Sequence, residues 1–402
     1  MDDDRELVAL AHDFAEREIR PVAAEHDRTE EFPWGVYHKA AGVGLTAFDL
    51  PGTYGGGGVE SVLTQCRIGE ELAWGDGPIA NAITSNSFFA GPVLALGTDE
   101  QRERWVRPLA GSEPPLCGLA ITEPEAGSDA SAIATRAERT DGGYRLNGTK
   151  TWISGAPLAE WYLVFATVAP GTRSKGITAF VLRKGDHGFE LGERIPKLGS
   201  RCYPAGELFL HDCVIPEDRR IGQEGSGFSG LMRWFEQTRV TLAAGAIGIG
   251  RAALEYAVAY AKEREAFGKR IHEFQAVSFR LVDARMKLDQ ARLMTHHAAR
   301  LVDAGEPFGT ESSMAKLAAS EAAWFSAWAA VQTLGGWGYS REYPVEKWLR
   351  DAKLEEIWEG TSDIQRLIVA RSMFRDRSLR SAGGAIGSPL EAEIEGLLGD
   401  GA

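Results

Sequence analysis

Apolar positions in this chain follow two rhythms, and the rhythm changes twice. From residue 5 to about 112 the reading is mainly helical: Leu7, Leu10, Phe14 and Ile19 recur at near-helical spacing, and Pro21 interrupts the run. From about 116 to 225 strand-like runs take over: Tyr144-Arg145-Leu146, Trp161 to Val168, Ile177 to Leu182 and Glu207 to Leu210. Asn147-Gly148 predicts a hairpin turn joining Tyr144-Arg145-Leu146 to Thr149-Lys150-Thr151-Trp152. From about 229 the helical period returns. Leu242, Ala246, Ile249, Ala253, Tyr256 and Tyr260 form one stripe, and Phe274, Val277, Leu281, Ala284, Leu288 and Ala291 a second. Met314, Leu317, Trp324, Trp328 and Val331 form a third, and Ile364, Leu367 and Ile368 a fourth. Four such helices predict a bundle with its stripes turned inward.

This order predicts an α+β protein. A helical domain (1–114) precedes a middle β domain (115–228), a small barrel or two packed sheets. A four-helix bundle (229–378) and a loosely ordered Gly, Ser and Ala-rich tail (379–402) follow. The chain's 402 residues suit two or three domains. The run Pro51-Gly52-Thr53-Tyr54-Gly55-Gly56-Gly57-Gly58 suggests a phosphate cradle, but no GK[ST] follows, so it reads as a connector.

Charge narrows the partners. With 44 basic and 57 acidic residues the net charge is −13, which argues against nucleic acid or an anionic membrane. Cys66, Cys117, Cys202 and Cys213 fit neither a metal pattern nor a disulfide framework, and read as free thiols of a reducing compartment. The acidic start, Met1-Asp2-Asp3-Asp4-Arg5-Glu6, resembles no signal or transit peptide. The most apolar stretch, Val240 to Gly250, is too short to span a bilayer. A cytoplasmic protein is expected.

The chemistry concentrates in Ile357-Trp358-Glu359-Gly360-Thr361-Ser362-Asp363-Ile364-Gln365. Thr361, Ser362 and Asp363 start a helix by satisfying its first N–H groups, so Glu359 hangs on the loop that feeds it. Trp358 limits its access to water, and Gly360 lets another surface approach. Desolvation raises a carboxyl group's proton affinity, which suits a base that removes a weakly acidic proton. On these residues alone, a plain helix cap with a solvated Glu is equally good.

The segment resembles the catalytic motif of the acyl-CoA dehydrogenase family, flavoproteins that oxidise acyl thioesters to 2-enoyl thioesters. Further family-like segments lie in the expected order: Ile121 to Asp129, Asn147 to Ser154, Arg264-Glu265-Ala266-Phe267-Gly268, and Gln332 to Gly338. The resemblance runs from about residue 5 to 375. It implies FAD held between the β domain and the bundle, and a dimer-of-dimers tetramer. Leu119, Ala120, Ile121 and Thr122 match the family's first flavin motif, while Trp152 and Ser154 match the residues beside the ring and near its N5. Arg264 and Phe267, with Gln332, Gly335 and Gly336, match contacts to a neighbouring subunit's FAD, and Thr361 and Asp363 match the return to the bound cofactor. Without the resemblance, Thr122 reads as a strand residue, Trp152 as core, Arg264 as solvated, and Gly335-Gly336 as a helix stop.

The resemblance further implies that Glu359 takes the α-proton while the β-hydrogen leaves as hydride to the flavin. Ser128 then lines the pantetheine channel, and Arg239 and Gly360 lie at the thioester end. Electrons pass to an electron-transferring flavoprotein. Many relatives have G-x-R-x-S-x-T where this chain has Gly199-Ser200-Arg201-Cys202-Tyr203-Pro204-Ala205. That puts the CoA nucleotide contact in doubt and leaves an acyl-carrier thioester as the alternative handle. Phe88 and Phe89 fall where relatives floor the acyl pocket, and with Trp337 and Trp358 point to a short or branched acyl group. A flavin oxidase or monooxygenase on the same fold, and a non-catalytic flavoprotein scaffold, are the competing readings.

Overall fold

A computed structural model describes residues 2–375; the expected tail, 379–402, lies outside them. The N-terminal part is helical: α1 (Asp2–Phe14), α2 (Arg20–Thr29), α3 (Trp34–Gly42), α4 (Val62–Gly75), α5 (Gly77–Thr84), α6 (Asn86–Leu96) and α7 (Asp99–Trp105). Pro21 does not interrupt the first run. A π-helical segment, Ala15–Ile19, joins α1 to α2, and Pro21 falls in the first turn of α2, where its missing N–H is tolerated. The glycine-rich connector folds back over residues 47–50, with Gly57 N–H donating to Ala47 O and Gly58 N–H to Leu50 O, both at 2.9 Å.

The middle strands are β1 (Cys117–Ala120), β2 (Arg136–Thr140), β3 (Gly143–Ser154), β4 (Trp161–Thr167), β5 (Ile177–Arg183), β6 (Phe189–Arg194), β7 (Ala205–Pro216) and β8 (Arg220–Ile221). They form one sheet in the order β6-β7-β3-β2-β4-β5-β8, with β1 parallel to β4. The expected hairpin at Asn147-Gly148 is absent, because β3 runs unbroken through both residues. The tight turn lies earlier, at Asp141-Gly142 between β2 and β3. Asn147-Gly148 instead marks a register shift against β7, where the Asn147 amide donates to Asp212 Oδ1 (3.0 Å) and accepts from Asp212 N–H (2.8 Å). A bulge uses the same small, turn-prone residues as a hairpin, which is why the pattern misleads.

The unbroken apolar run of β4 reflects burial on both faces. Tyr162, Val164 and Ala166 enter the core within the β domain. Leu163 and Phe165 pack with Phe89, Trp105 and Leu231 of the helical parts.

The C-terminal helices are α8 (Gly227–Glu263), α9 (Gln275–Asp303), α10 (Gly309–Leu334), α11 (Val345–Glu355) and α12 (Ser362–Arg375). The short strands β9 (Glu265–Ala266) and β10 (Lys269–Arg270) join α8 to α9 as a hairpin. The stripes expected on α8 and α9 are largely buried. The third is inverted: Met314 and Trp328 are exposed, and α10 turns Ala315, Ala319, Ala322, Ala323 and Ala327 inward. Small residues let α10 approach α8 closely, and large side chains on that face would force them apart. The fourth stripe also misses this core. Leu367 is exposed, and the buried residue of α12 is Gln365. Helix α11 was not anticipated.

By length and composition, Gly77–Leu96 and the whole of α8 could cross a membrane, but 56% and 61% of their apolar windows are buried inside the protein. Buried ion pairs tie the parts together. Lys347 of α11 contacts Asp76 and Asp351, while Arg350 donates to Asp27 at 3.0 and 2.6 Å. The four cysteines are free and buried.

Candidate active site

Glu359 sits in the reverse turn between α11 and α12. Its φ is 56° and that of Gly360 is 89°, and two successive left-handed residues swing the chain around. Such a conformation in a non-glycine residue costs roughly 1–2 kcal/mol and persists only where its surroundings impose it. Here the surroundings do so through the carbonyls. The Gln365 amide donates to Glu359 O at 3.2 Å and Gly360 O at 2.9 Å, and Lys316 Nζ donates to Gly360 O at 2.9 Å. Arg239 Nε lies 3.5 Å from Glu359 O. Thr361 caps α12 as expected, accepting from Ile364 N–H. The close neighbour at Gly360 is Gln365 itself: a Cβ there would meet Gln365 Nε2 at 2.7 Å.

The Glu359 side chain is half-buried, and its Oε2 accepts a 3.1 Å hydrogen bond from Thr238 Oγ1 of α8. Burial pushes its carboxyl up to about 7, against the opposing pull of Thr238, Arg239 and Lys316. A second carboxyl, Glu355, is buried at the end of α11 and is also raised to about 7 by burial. Trp358, expected as a shield for Glu359, turns its indole N–H to Glu355 Oε2 at 3.0 Å. Between these carboxyls stands the buried Lys316, lowered to about 8 by burial while both carboxylates pull it upward.

Thr238 and Glu355 line a cavity of about 440 Å³ between α4, α5, α6 and α8. Phe88 lines it, as expected. Phe89 does not; it points into the sheet core, 6.1 Å from Trp161. Trp234 closes the cavity, packing edge-on to Phe88 at 5.1 Å and so tightly over α6 that a Cβ on Gly91 would fall 1.8 Å from its Nε1.

The two flavin motifs of the β domain come together, since Thr151 N–H donates to Thr122 O at 3.0 Å. Leu119 and Ala120 lie on β1, with Ile121 and Thr122 just beyond it. Behind them the buried Lys150 donates to Ile121 O at 3.0 Å and to Glu123 Oε1 at 2.7 Å. Trp152 is not core: it is 56% exposed with φ 60°, presenting its ring to open space, with half-buried Ser154 two residues on. A large ring held outward on a rigid strand fits a flat heteroaromatic partner such as a flavin. Ser128 is exposed on the loop between β1 and β2.

A second cleft, of about 600 Å³, is lined by Tyr260, Arg264, Thr333, Gly335, Gly336 and Trp337. Gly335 also ends α10, with φ 61°. The β9–β10 hairpin turns on Phe267 and Gly268, both at positive φ, which leaves Phe267 95% exposed. Gln332 is exposed beside this cleft, and Asp363 is exposed on α12, paired with Arg366 at 3.0 Å. Exposed guanidinium, glycine backbone and aromatic rings suit a pyrophosphate and an adenine. This cleft and Glu359 do not converge within one protomer. Arg239 and Arg264 bracket the C-terminal part of one continuous helix, and 25 residues at 1.5 Å each put them roughly 37 Å apart.

Sequence reasoning missed Thr238, Trp234, Lys316, Glu355 and Gln365. Lys316 had a signal: it shares a four-residue spacing with Ser312 and Ser320, on the small-residue face of α10.

Comparison with known proteins identifies the family. Family profiles for the acyl-CoA dehydrogenase N-terminal, middle and C-terminal domains match residues 1–113, 118–213 and 225–374. The mitochondrial short-chain specific acyl-CoA dehydrogenase of Homo sapiens is 40% identical over 92% of this chain and 89% of its own. The structure of butyryl-CoA dehydrogenase from Megasphaera elsdenii superimposes with a TM-score of 0.89 at 36% identity, covering 93% and 99% of the two chains. The prolyl acyl carrier protein oxidase AnaB superimposes with a TM-score of 0.88 at 29% identity, covering 93% and 99%. The fold and site define a flavin-dependent oxidoreductase. The chain belongs to the acyl-CoA dehydrogenase family, and its cofactor is FAD.

Proposed function

We propose that this protein catalyses α,β-dehydrogenation of a short or branched acyl thioester, with Glu359 as the base that takes the α-proton. The observation that carries the reading is the Glu359 carboxyl, raised to about 7 by burial and held by Thr238 at the wall of the cavity. A base of that proton affinity is ionised often enough near neutral pH to act, and binds a proton tightly enough to draw one from carbon. FAD supplies the two-electron acceptor that no side chain provides. The Glu359 N–H, which no protein acceptor takes among the described residues, is free to donate to the thioester carbonyl and stabilise enolate-like charge.

On this reading Leu119 to Thr122, Trp152 and Ser154 hold the flavin ring of their own protomer, with Thr361 and Asp363 returning to the same cofactor. Arg264, Phe267, Gln332, Gly335 and Gly336 serve the FAD of a neighbouring protomer. The 37 Å estimate along α8 supports this, because it exceeds what one bound dinucleotide spans. Exposed Met314, Trp328, Leu293 and Phe374 on the outer helices support a homotetramer. Ser128 and Arg239 attend the pantetheine and thioester end. Electron-transferring flavoprotein is the acceptor, and the buried free thiols suit the cytoplasm.

CoA is the proposed handle. One observation favours an acyl-carrier protein as the second reading. Tyr203, in place of the family's hydroxyl residue, is buried 6.2 Å from Phe32 and cannot serve a nucleotide at the surface.

The test is anaerobic addition of acyl thioesters to the purified yellow protein. Bleaching of the flavin band, lost in Glu359→Gln with FAD still bound, is the expected result. Bleaching of that variant at the parent rate defeats the assignment of the base. Rapid peroxide formation without a carrier selects an oxidase. A colourless protein that FAD does not reconstitute selects a scaffold.

A further inference from the structure

The cavity beside Glu359 is not the smooth apolar slot that a plain alkyl chain would fill. Its wall carries Glu355 and Asp49 together with the amides of Asn81 and Gln237, and no Lys, Arg or His. Glu355, four residues before the base, is 4% exposed, and its one hydrogen bond spends a single oxygen on Trp358. Asp49 carries a buried Oδ1 with no hydrogen-bond partner, and no salt bridge reaches it among the described residues. Its carboxyl is raised by burial, with the Ser87 hydroxyl opposing. Asn81 and Gln237, both half-buried, make no side-chain hydrogen bond within the protein among the described residues.

Buried polar groups are ordinarily satisfied, and a buried carboxyl without a cation is costly. The other buried carboxyls of this protein obey that rule: Glu123 faces Lys150, Asp76 faces Lys347 and Asp27 faces Arg350. On the wall of this cavity the pairing is incomplete: Glu355 only shares Lys316 with Glu359, and half-buried Asp49 has no cation among the described residues. Unpaired acceptors around a ligand space are what remains when the ligand brings the donor.

We propose that the acyl group oxidised here carries a hydrogen-bond donor, a hydroxyl or amine, beyond the reacting carbon pair, and that Glu355, Asp49, Asn81 and Gln237 receive it. The inference rests on the dehydrogenase reading above and deepens it. The same wall excludes acyl groups that end in a carboxylate, because both charged groups on it are acidic. Trp234 and Phe88 limit the donor's distance from the thioester, so the acyl group is small as well as polar.

Near-isosteric pairs test this. Anaerobic flavin reduction is compared for 4-hydroxybutyryl-CoA against valeryl-CoA and for 5-aminovaleryl-CoA against hexanoyl-CoA, with glutaryl-CoA as the acidic probe. Binding of each to Glu359→Gln protein is measured in parallel by calorimetry, a readout independent of turnover. At least one donor-bearing thioester is expected to beat its alkyl partner by about 10-fold or more in both measurements, with glutaryl-CoA the poorest. Which pair shows the preference separates hydroxyl from amine. Glu355→Gln, made in the Glu359→Gln background, should shrink the donor-over-alkyl ratio in the binding measurement. Equal or better reduction and binding of both alkyl thioesters overturns the inference and leaves the dehydrogenase reading standing. Failure of every thioester to bleach the flavin overturns both.

Discussion

The amide of Gln365 donates to the carbonyls of both Glu359 and Gly360, at 3.2 and 2.9 Å, from the one buried position of α12. The residue that shapes the turn is thus carried by the helix the turn introduces. The proposed base and its clamp are six residues apart, so neither forms without the other.

Replacing Gln365 with Leu should therefore cost more than its exposed surroundings on α12 suggest. Two half-buried carbonyls lose a donor, Gly360 O keeping that of Lys316, and roughly 1–3 kcal/mol of stability is expected to go with it. Thermal unfolding checks the loss. Stopped-flow flavin reduction should slow by about 10-fold or more as the turn relaxes, while FAD absorbance stays unchanged.

Raising the Glu359 carboxyl to about 7 has two consequences of opposite sign. Catalysis needs the ionised form, so the rate of flavin reduction should climb with pH through about 7. Stability moves the other way. A carboxyl held above its unfolded value favours folding below that value, and the contribution is lost as pH rises through the folded pKa. Glu359→Gln should remove the trend, leaving the variant more stable than the parent by about 1–2 kcal/mol near pH 8 and close to it near pH 5. Melting curves across that range decide it.

Lys316 is the cation that Glu355 and Glu359 share. Lys316→Met should push the midpoint of the rate profile upward by about one pH unit, because a carboxylate without its cation binds a proton more tightly. A profile unchanged in midpoint but lower in height would show that Lys316 acts only through its 2.9 Å bond to Gly360 O.

Trp234 sets the depth of the cavity, resting on α6 where Gly91 has no side chain. Trp234→Ala should extend acceptance by two or more carbons, read as the acyl length giving the fastest bleaching. Gly91→Ala should fail differently, destabilising the fold by about 1–3 kcal/mol through overpacking against the indole. Chain-length series and melting temperatures separate the two.

How far the sequence led depended on which interactions are local. Glu359, Gly360 and the Thr361 cap lie within one motif, so their arrangement was legible. So was the helix–strand–helix order, because each period repeats over many residues. The failures share a cause. The inward face of α10 is made of Ala and Ser, and a reading that looks for large apolar residues selects Met314 and Trp328 on the opposite side. At Asn147-Gly148, turn chemistry served a bulge whose partner, Asp212, is remote in sequence. Thr238 and Lys316 reach the Glu359 turn from two different helices, and no spacing rule connects them. The close approach of Trp234 to Gly91 is likewise a tertiary fact.

Helix α8 runs without a break from the clasp on the Glu359 loop to the edge of the Arg264 cleft. On the reading proposed above, one stiff strut therefore spans two catalytic units, bracing the proton acceptor of its own and gripping the redox group of the next. Dissociating the oligomer would then empty the flavin before it unfolded any chain, and dilution should bleach the preparation of its colour while circular dichroism stays constant.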